Sequence, residues 1–543
     1  MTLPQSTQPS PPYEKTSPAA EHQSFEDGHN AHQQDQTHRR LKARHIQLFS
    51  IGGTIGTVLF VQIGSGLTIG GPGTLLLTFV LWSTVVLAIN NCLSEMVTWI
   101  PISAPYVRFA DRFVDEAFGV CSGFNLFLNF ALGAPYEITA FNLMLNFWTN
   151  KIPVAAVIVF MILCYAALNL FTVRFYGESE FWLALGKVIL IVGLLIFTFV
   201  VMVGGNPAHD AFGFRNWNAP FAAYVYDGSL GRFLGFLSCL IQASMTISGP
   251  EYVAITAGEA AHPRRTLPRS FNTITARLVV FFLLGALSVG VLVPYTDPSL
   301  LGTAAVRPGT GTSPYVIAME HLRLGGLAHA VNALVMLSIF SAGNSYVYIA
   351  SRALFGMALE GRAPRVLATC TARGVPIYCV GITLSFALLA FLQLQHTSAV
   401  VLLWITRFTN VSGMANYAMI AFTYLRFHAA LEAQKIPRES LPRRSPWQPF
   451  CGYYSFAASF TMVFIAGYAV FLPGHWNVLT FVFSYALIAV LPAIFLGWKL
   501  GRGTKWRIPR EVDLFTEERA EVDAYESGLR EKANEGSGVQ ALG

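Results

Sequence analysis

Apolar runs of about twenty residues recur along this sequence, and they restrict its fold more than any other feature. An α-helix needs about 20 such residues to cross the roughly 30 Å hydrocarbon core of a bilayer. Hydrophobic residues make up 53% of the chain and charged residues only 12%, against about 25% in a soluble domain. We therefore predict an all-α polytopic membrane protein in a lipid bilayer. The twelve predicted spans are 48–68, 74–98, 119–148, 153–173, 181–204, 232–256, 276–296, 327–350, 376–394, 399–425, 453–473 and 477–499.

Basic residues alternate between the two sides of these predicted spans. Arg264, Arg265 and Arg269 lie together on one side, whereas Lys151 and Arg215 are among the few on the other side. By the positive-inside rule, the basic side faces the cytosol, so both termini are cytosolic and the number of spans is even. This distribution accounts for the net charge of +6 without nucleic acid as a partner.

Polar tails flank the predicted membrane part. Residues 1–44 are rich in Gln, Pro, Ser and His and have almost no large aliphatic side chains, so they cannot bury enough surface to offset chain entropy. We predict a disordered cytosolic tail over residues 1–44, a transporter domain over residues 45–500 and a cytosolic tail over residues 501–543. No basic region followed by an apolar one precedes Leu48, so we expect no cleavable signal peptide.

A helix breaker and a carboxylate stand side by side in the sixth span, within QASMTISGPEYVAITAGE (242–259). Pro250 has no amide hydrogen, so the carbonyl of Thr246 loses its helical partner. Unpaired backbone within a bilayer is tolerated only where protein or water lines it. We therefore predict that this span breaks beside a polar cavity. The carbonyls of Met245 to Ile247 would give one half-helix a negative end that suits an ammonium group.

The first span, LFSIGGTIGTVLFVQIGSGL, is interrupted by glycines in a similar way. Gly52, Gly53 and Gly56 permit a second break, and the amides beyond it would start a half-helix whose positive end attracts a carboxylate. Interrupted spans at matching positions of two halves are typical of inverted-repeat transporters with a site at the bilayer midplane. Together, the negative helix end at one break and the positive helix end at the other match the ammonium and carboxylate groups of an α-amino acid. The alternative is that the glycines only let helices pack closely.

Three ionisable residues fall inside predicted spans three, five and six, where charges are expensive and usually functional. They are Glu137, Lys187 and Glu251. A carboxylate in apolar surroundings can take up and release a proton during a transport cycle, so we predict that these residues couple transport to protons. Two alternatives stay open: Glu251 and Lys187 form a static buried pair, and Glu137 only pins neighbouring helices beside a proline kink.

The remaining features indicate no further chemistry. Arg407 in span ten could face the cavity or extend toward the membrane surface. The glycosylation sequon at residues 410–412 falls inside that span, so we discount it. The seven cysteines have no CxxC spacing, and we expect no metal site and no cofactor. The absence of HExxH and GxSxG motifs argues against an enzyme, and single buried charges argue against a channel.

Eight motifs follow one another along the membrane part, from about Leu41 to Lys499. They are RHIQLFSIGGTIGT (44–57), GGP (70–72), SEMVTWIP (94–101), RFVDEAFG (112–119), PYEITA (135–140), YGESEFWLALGKV (176–188), SGPEYVAITAGEAAHPRRTLPR (248–269) and NALVMLSIFSAGNSYVYIASRALFGMALEGRAP (332–364). In this order they resemble the fungal amino acid permeases of the amino acid–polyamine–organocation superfamily.

The resemblance implies a LeuT-like fold, with a 5+5 inverted repeat plus two extra helices, and proton-driven uptake across the plasma membrane by alternating access. It also implies a substrate site in the two broken spans, built from Ile55, Gly56, Thr57 and Val58 in the first and from Met245, Thr246, Ile247, Ser248 and Gly249 in the sixth. Glu251 matches the glutamate that follows the sixth-span break. Lys187 matches a lysine proposed for proton coupling in related carriers.

Two positions depart from the family pattern. Most members have Gly where this chain has Val58 and an aromatic gate residue where it has Met245. Valine narrows the approach to the backbone, and methionine makes a softer, longer lid over a substrate. The first expectation is a proton-coupled importer of amino acids or related zwitterions. The alternatives are a carrier of carnitine-like or polyamine substrates and a non-transporting nutrient sensor on the same scaffold.

Overall fold

The computed structural model describes residues 41, 43–171, 173–301, 313–395, 398–516 and 519–528. Over these residues the chain is helical apart from loops and an isolated bridge between Leu41 and Ala260. The α-helices are α1 (Ala43–Gly52), α2 (Ile63–Trp99), α3 (Pro105–Phe113), α4 (Glu116–Leu145), α5 (Val154–Leu170), α6 (Val173–Met202), α7 (Gly228–Thr246), α8 (Pro250–Ile255), α9 (Pro263–Arg277), α10 (Leu284–Leu292), α11 (Pro298–Leu301), α12 (Pro314–His321), α13 (Gly325–Leu359), α14 (Ile377–Ala387), α15 (Ser398–Ala433), α16 (Phe450–Ile465) and α17 (Val478–Arg502).

Nine helical segments among the described residues are long and apolar enough to cross a membrane. This finding supports the polytopic all-α class, whereas the number of twelve spans stays a prediction. The longest segment, Val58–Trp99, has 42 residues, about twice what one crossing needs. It bends at Gly71, which has φ 78° and ψ 170° and precedes Pro72. The bend lies between the first two predicted spans.

The loop before α7 holds this bend in place. The amide of Gly73 donates to the carbonyl of Pro220 at 2.8 Å, and the amide of Ala222 donates to the carbonyl of Gly70 at 2.9 Å. A Cβ at Gly71 would lie only 2.7 Å from the Pro220 oxygen. The positive φ and this close backbone approach both require glycine.

Both predicted helix breaks are present. Helix α1 ends at Gly52, residues 53–56 are not helical, and a π-helical turn over Val58–Gln62 resumes the span. Helix α7 ends at Thr246, and α8 begins at Pro250 after three non-helical residues. Pro250 occupies the first turn of α8, where a missing amide hydrogen is harmless.

Burial separates central helices from those that face the lipid. In the most apolar window of α4, 72% of the residues are buried, whereas the corresponding share in α17 is 17%. Since the hydrocarbon of a membrane accepts apolar side chains, a helix with little burial contacts lipid rather than water. The functional site is therefore expected around α4 and not around α17.

Described residues just before α1 and after α17 pack against the side that carries the basic connections. The amide of Leu41 donates to the carbonyl of Glu259 at 2.9 Å. After α17, the carbonyl of Leu514 accepts a hydrogen bond from Trp99 Nε1 at 3.1 Å. Of the tail predicted to be disordered over residues 1–44, residues 1–40 and 42 lie outside the described residues, whereas Ala43 and Arg44 begin α1.

Candidate functional site

A cavity of about 100 Å³ lies where the two broken spans meet α4, α13 and α15. The first break contributes Val58, and the second contributes Met245, Ser248 and Glu251. The surrounding helices supply amide and phenol side chains, among them Tyr106, Asn129, Tyr136, Tyr346, Asn410 and Tyr417. The wall therefore combines apolar surface with a few polar groups, as is typical of sites for small molecules.

Peptide groups at the first break form hydrogen bonds with side chains of another helix and of the break itself. The carbonyl of Ile55 accepts a hydrogen bond from the Ser338 hydroxyl at 3.0 Å. The Thr54 hydroxyl donates to the carbonyl of Ser50 at 3.0 Å. Buried peptide groups without partners would be costly, so these contacts stabilise the non-helical segment.

At the second break, the carboxylate of Glu251 lies beside the backbone of Gly249. Gly249 has φ 155° and ψ −44°, a conformation that suits glycine. Its amide donates to Glu251 Oε2 at 3.1 Å. The carbonyl of Gly249 accepts a weak hydrogen bond of 3.5 Å from the Ser50 hydroxyl in α1. The end of α1, next to the first break, is therefore in direct contact with the second break.

Glu251 lies at the edge of the cavity with its side chain almost fully buried. The hydroxyl of Tyr417 lies 3.1 Å from each carboxylate oxygen and donates to this group. No ion pair among the described residues includes Glu251. A buried carboxylate held by neutral donors is suited to receive a proton or a cationic group of a ligand.

Glu137 and Lys187 hold the two ends of the first break. The Thr57 hydroxyl donates to Glu137 Oε2 at 2.5 Å, and Lys187 Nζ donates to the carbonyl of Gly52. Both ionisable side chains are buried. A proton gained or lost at either group would change its contact with the break.

Glu180 is a further buried acid that the sequence analysis missed, since it lies just before the predicted start of span five. Its carboxylate accepts hydrogen bonds from Ser341 at 2.6 Å and from Ser345 at 3.2 Å. It also interacts electrostatically with Lys187. Seven residues, or two helical turns, separate Glu180 from Lys187, so both lie on one face of α6. This spacing is the signal that could have revealed it.

The structure divides the predicted site residues into two groups. Val58, Met245, Ser248 and Glu251 line the cavity. The others lie within or behind the breaks and not among the lining residues; they are Ile55, Gly56, Thr57, Thr246, Ile247, Gly249, Glu137 and Lys187. Of these residues, Glu137 and Lys187 contact the first break through hydrogen bonds to Thr57 and to the carbonyl of Gly52.

The cavity also contains amide side chains that the sequence analysis did not select. Asn129 donates to the carbonyl of Thr409 at 2.8 Å, and the Ser244 hydroxyl donates to Asn410 Oδ1 at 3.2 Å. Asn410 begins the discounted sequon, and it faces the cavity. Amides on apolar helices are rare enough to indicate an interior or a ligand site, so this composition was an available signal.

Arg407 lies two residues before Thr409, the first cavity residue of α15, and is not among the lining residues. Its Nε atom has no hydrogen-bond partner among the described residues. Within the described part of the chain, no group of three or more His, Cys, Asp or Glu side chains is arranged to hold a metal ion.

Comparison with known proteins identifies the family. The model of the amino acid permease family matches residues 45–509. The general amino acid permease AGP2 of Saccharomyces cerevisiae is 41% identical over 90% of this chain and 84% of its own length. The proline-specific permease of Emericella nidulans is 38% identical over 88% of each chain. The lysine-specific permease of S. cerevisiae is 35% identical over 92% of this chain and 82% of its own length. Because these matches cover almost the whole membrane part and the relatives are permeases and not enzymes, this chain belongs to the amino acid permease family.

Proposed function

We propose that this permease is a proton-coupled secondary carrier that imports amino acids or related zwitterions by alternating access. One observation supports this proposal above all: two broken helices direct opposite ends toward one small cavity. The carbonyl end of α7 is negative and suits an ammonium group, whereas the amide end beyond the first break is positive and suits a carboxylate. The relatives named as permeases of amino acids support the same class of substrate.

Proton coupling would act through the groups that touch the breaks. An ionised Glu251 accepts hydrogen bonds from Gly249 and Tyr417. A protonated Glu251 loses acceptor capacity and gains a donor, so the hydrogen bonds at the second break must change. Lys187 and Glu137 would act in the same way at the first break. A proton entering from outside would thus favour one arrangement of the two half-helices over the other.

The proposed architecture is a LeuT-like 5+5 inverted repeat with two extra helices over residues 45–500. Twelve spans result when the bent segment Val58–Trp99 is taken as two crossings and α5 and α15 are added to the nine long apolar segments. The basic connections then face the cytosol together with both tails. We place the carrier in the plasma membrane, where an importer of nutrients acts.

Uptake of radiolabelled amino acids by permease-deficient yeast that expresses the chain tests this proposal. We expect saturable accumulation against a gradient, faster at acidic than at neutral medium pH and lost with a protonophore. Uptake that is unchanged by the medium pH and by the protonophore would refute proton coupling. The control is the Glu432→Gln variant, because Glu432 is an exposed acid at the inner end of α15.

Competition and binding in the same cells separate the alternatives. If the chain carries carnitine-like or polyamine substrates, carnitine or spermidine should inhibit the uptake of a labelled amino acid. This inhibition should need a lower concentration than inhibition by common amino acids. A nutrient sensor would bind labelled ligand in membranes without accumulating it in cells. Either outcome would replace the proposed substrate class or activity.

A further inference from the structure

Arg277 is a buried cation that has no acidic partner among the described residues. Its side chain is 8% exposed. It donates to the Ser50 hydroxyl at 2.5 Å, to the Thr273 hydroxyl at 2.6 Å and to a backbone carbonyl of α9 at 3.2 Å. All three acceptors are neutral, and none of the ion pairs among the described residues includes Arg277. A buried charge normally has a counter-charge, because desolvation is costly.

A second cavity, of about 440 Å³, lies beside this guanidinium group between α1 and α9. It is separate from the cavity at the two breaks, with which it shares no lining residue. Its polar wall is formed by Arg44, Gln47, Thr273 and Arg277. Its apolar wall is formed by Leu48, Ile51, Ala276, Val280 and Phe281.

The polar and apolar walls follow the depth of the membrane. On α1, Arg44 comes before Ile51; on the span that begins with α9, Thr273 comes before Phe281. Both helices enter the bilayer from the side with the basic connections, so the cations lie near the membrane surface and the apolar residues lie deeper. This arrangement matches a molecule with an anionic head and a hydrocarbon tail.

The charges around the second cavity leave a positive excess. No acidic side chain lines this cavity among the described residues, and Glu178 accepts a hydrogen bond from the rim residue Arg44 at 2.8 Å. It also contacts His45 Nε2 at 3.2 Å. Arg44 is half exposed, so it can turn toward a ligand, whereas Arg277 is fixed by its three hydrogen bonds.

We propose that this second cavity binds an anionic phospholipid of the cytosolic leaflet, with the phosphate at Arg277 and Arg44 and the first acyl carbons against Ile51 and Phe281. Guanidinium groups form strong charge-assisted hydrogen bonds with phosphate, and basic pockets between helices on the cytosolic side are typical sites for anionic lipids. The inference rests on the proposed membrane orientation and is independent of proton coupling.

Such a lipid would act on the transport site through Ser50. The Ser50 hydroxyl accepts from Arg277 and lies 3.5 Å from the carbonyl of Gly249 at the second break. A phosphate that neutralises Arg277 would hold α1 against α9, and the inner half of the first span would be fixed relative to both breaks. The lipid is therefore expected to favour one orientation of the carrier.

Native mass spectrometry of the purified full-length protein tests the site. The probes are dioleoyl phosphatidylserine, dioleoyl phosphatidylcholine, glycerophosphoserine and inorganic phosphate. We expect one phosphatidylserine to be retained in preference to phosphatidylcholine. In the Arg277→Gln variant its affinity should fall by about tenfold or more, the factor expected when charge-assisted hydrogen bonds are lost. The matched control is Arg269→Gln, which removes an exposed charge from the same helix and should change the affinity by less than about twofold.

A second variant keeps the charge and fills the space. Ala276 is exposed toward the second cavity, so Ala276→Trp should exclude the lipid without removing Arg277. Equal phosphatidylserine retention by wild type, Arg277→Gln and Ala276→Trp would overturn the proposal. Binding of inorganic phosphate or glycerophosphoserine as tight as that of the lipid would instead indicate a site for soluble anions. Because the readout is binding, neither result depends on whether the protein transports amino acids.

Discussion

The ring of Tyr252 occupies the space that a side chain at Gly53 would need. A Cβ built at Gly53 would lie 1.9 Å from Cε1 of Tyr252. Gly53 belongs to the first break, and Tyr252 belongs to α8, directly after the second. The two interrupted spans thus interlock through one glycine and one aromatic ring, and Tyr252 also lines the cavity.

The Gly53→Ala variant should disturb both breaks at once. The added methyl group must displace Tyr252, and overpacking of this kind destabilises by about 1–3 kcal/mol. We expect a lower thermal stability of the purified protein and a loss of most transport per molecule at the cell surface. Gly186→Ala is the control, because a Cβ at Gly186 meets nothing within 4 Å. Wild-type uptake and stability in Gly53→Ala would show that the interlock is not tight.

The Glu251→Gln variant should separate binding from coupling. Glutamine keeps an oxygen acceptor for Tyr417 but cannot lose or gain a proton. We expect substrate exchange between the two sides of a proteoliposome to continue, while accumulation driven by a pH gradient falls by about tenfold or more. Accumulation that still follows the pH gradient would assign coupling to another residue. Tyr417→Phe, which removes the hydroxyl donor alone, should weaken coupling less.

Glu180 and Lys187 should be coupled in stability. Both side chains contact Gly52: Lys187 donates to its carbonyl, and Glu180 Oε1 lies 2.1 Å from the position of a Cβ on Gly52. Glu180 and Lys187 interact electrostatically. Removing one of two buried opposite charges leaves the other uncompensated, at a cost of up to about 3–5 kcal/mol when the two form a direct ion pair. The double variant Glu180→Gln/Lys187→Gln should therefore be more stable than the sum of the two single losses predicts. Additive changes in unfolding temperature would mean that the two charges do not stabilise each other.

The Val58→Gly variant should widen the substrate range. The Val58 side chain is part of the cavity wall at the first break, and its removal lets larger or differently shaped zwitterions approach the backbone amides. We expect common amino acids to compete better with the preferred substrate for uptake. The ratio of their kcat/KM to that of the preferred substrate should rise by about tenfold. An unchanged order of competitors would discard this account of selectivity. Val61→Gly, on the same π-helical turn but outside the cavity lining, is the matched control.

The sequence analysis located the breaks but only part of the cavity. Gly249 and Pro250 interrupt a helix for reasons contained in their own backbone chemistry, so the sixth-span break could be predicted locally. Asn129 and Asn410 lie 281 positions apart and meet at one cavity only because α4 and α15 pack beside the breaks. Glu180 was missed for a simpler reason, since α6 begins earlier than the predicted span.

The sequence by itself determined the membrane class, the two interrupted helices and three of the buried charges, Glu137, Lys187 and Glu251, because hydropathy, proline and glycine act over one or two helical turns. Only the tertiary structure decided which side chains share a cavity, that Lys187 and Glu137 hold opposite ends of the first break, and that Arg277 has no acidic partner among the described residues. These are contacts between helices far apart in the chain. Their formation depends on how complete helices pack, and no local pattern contains that information.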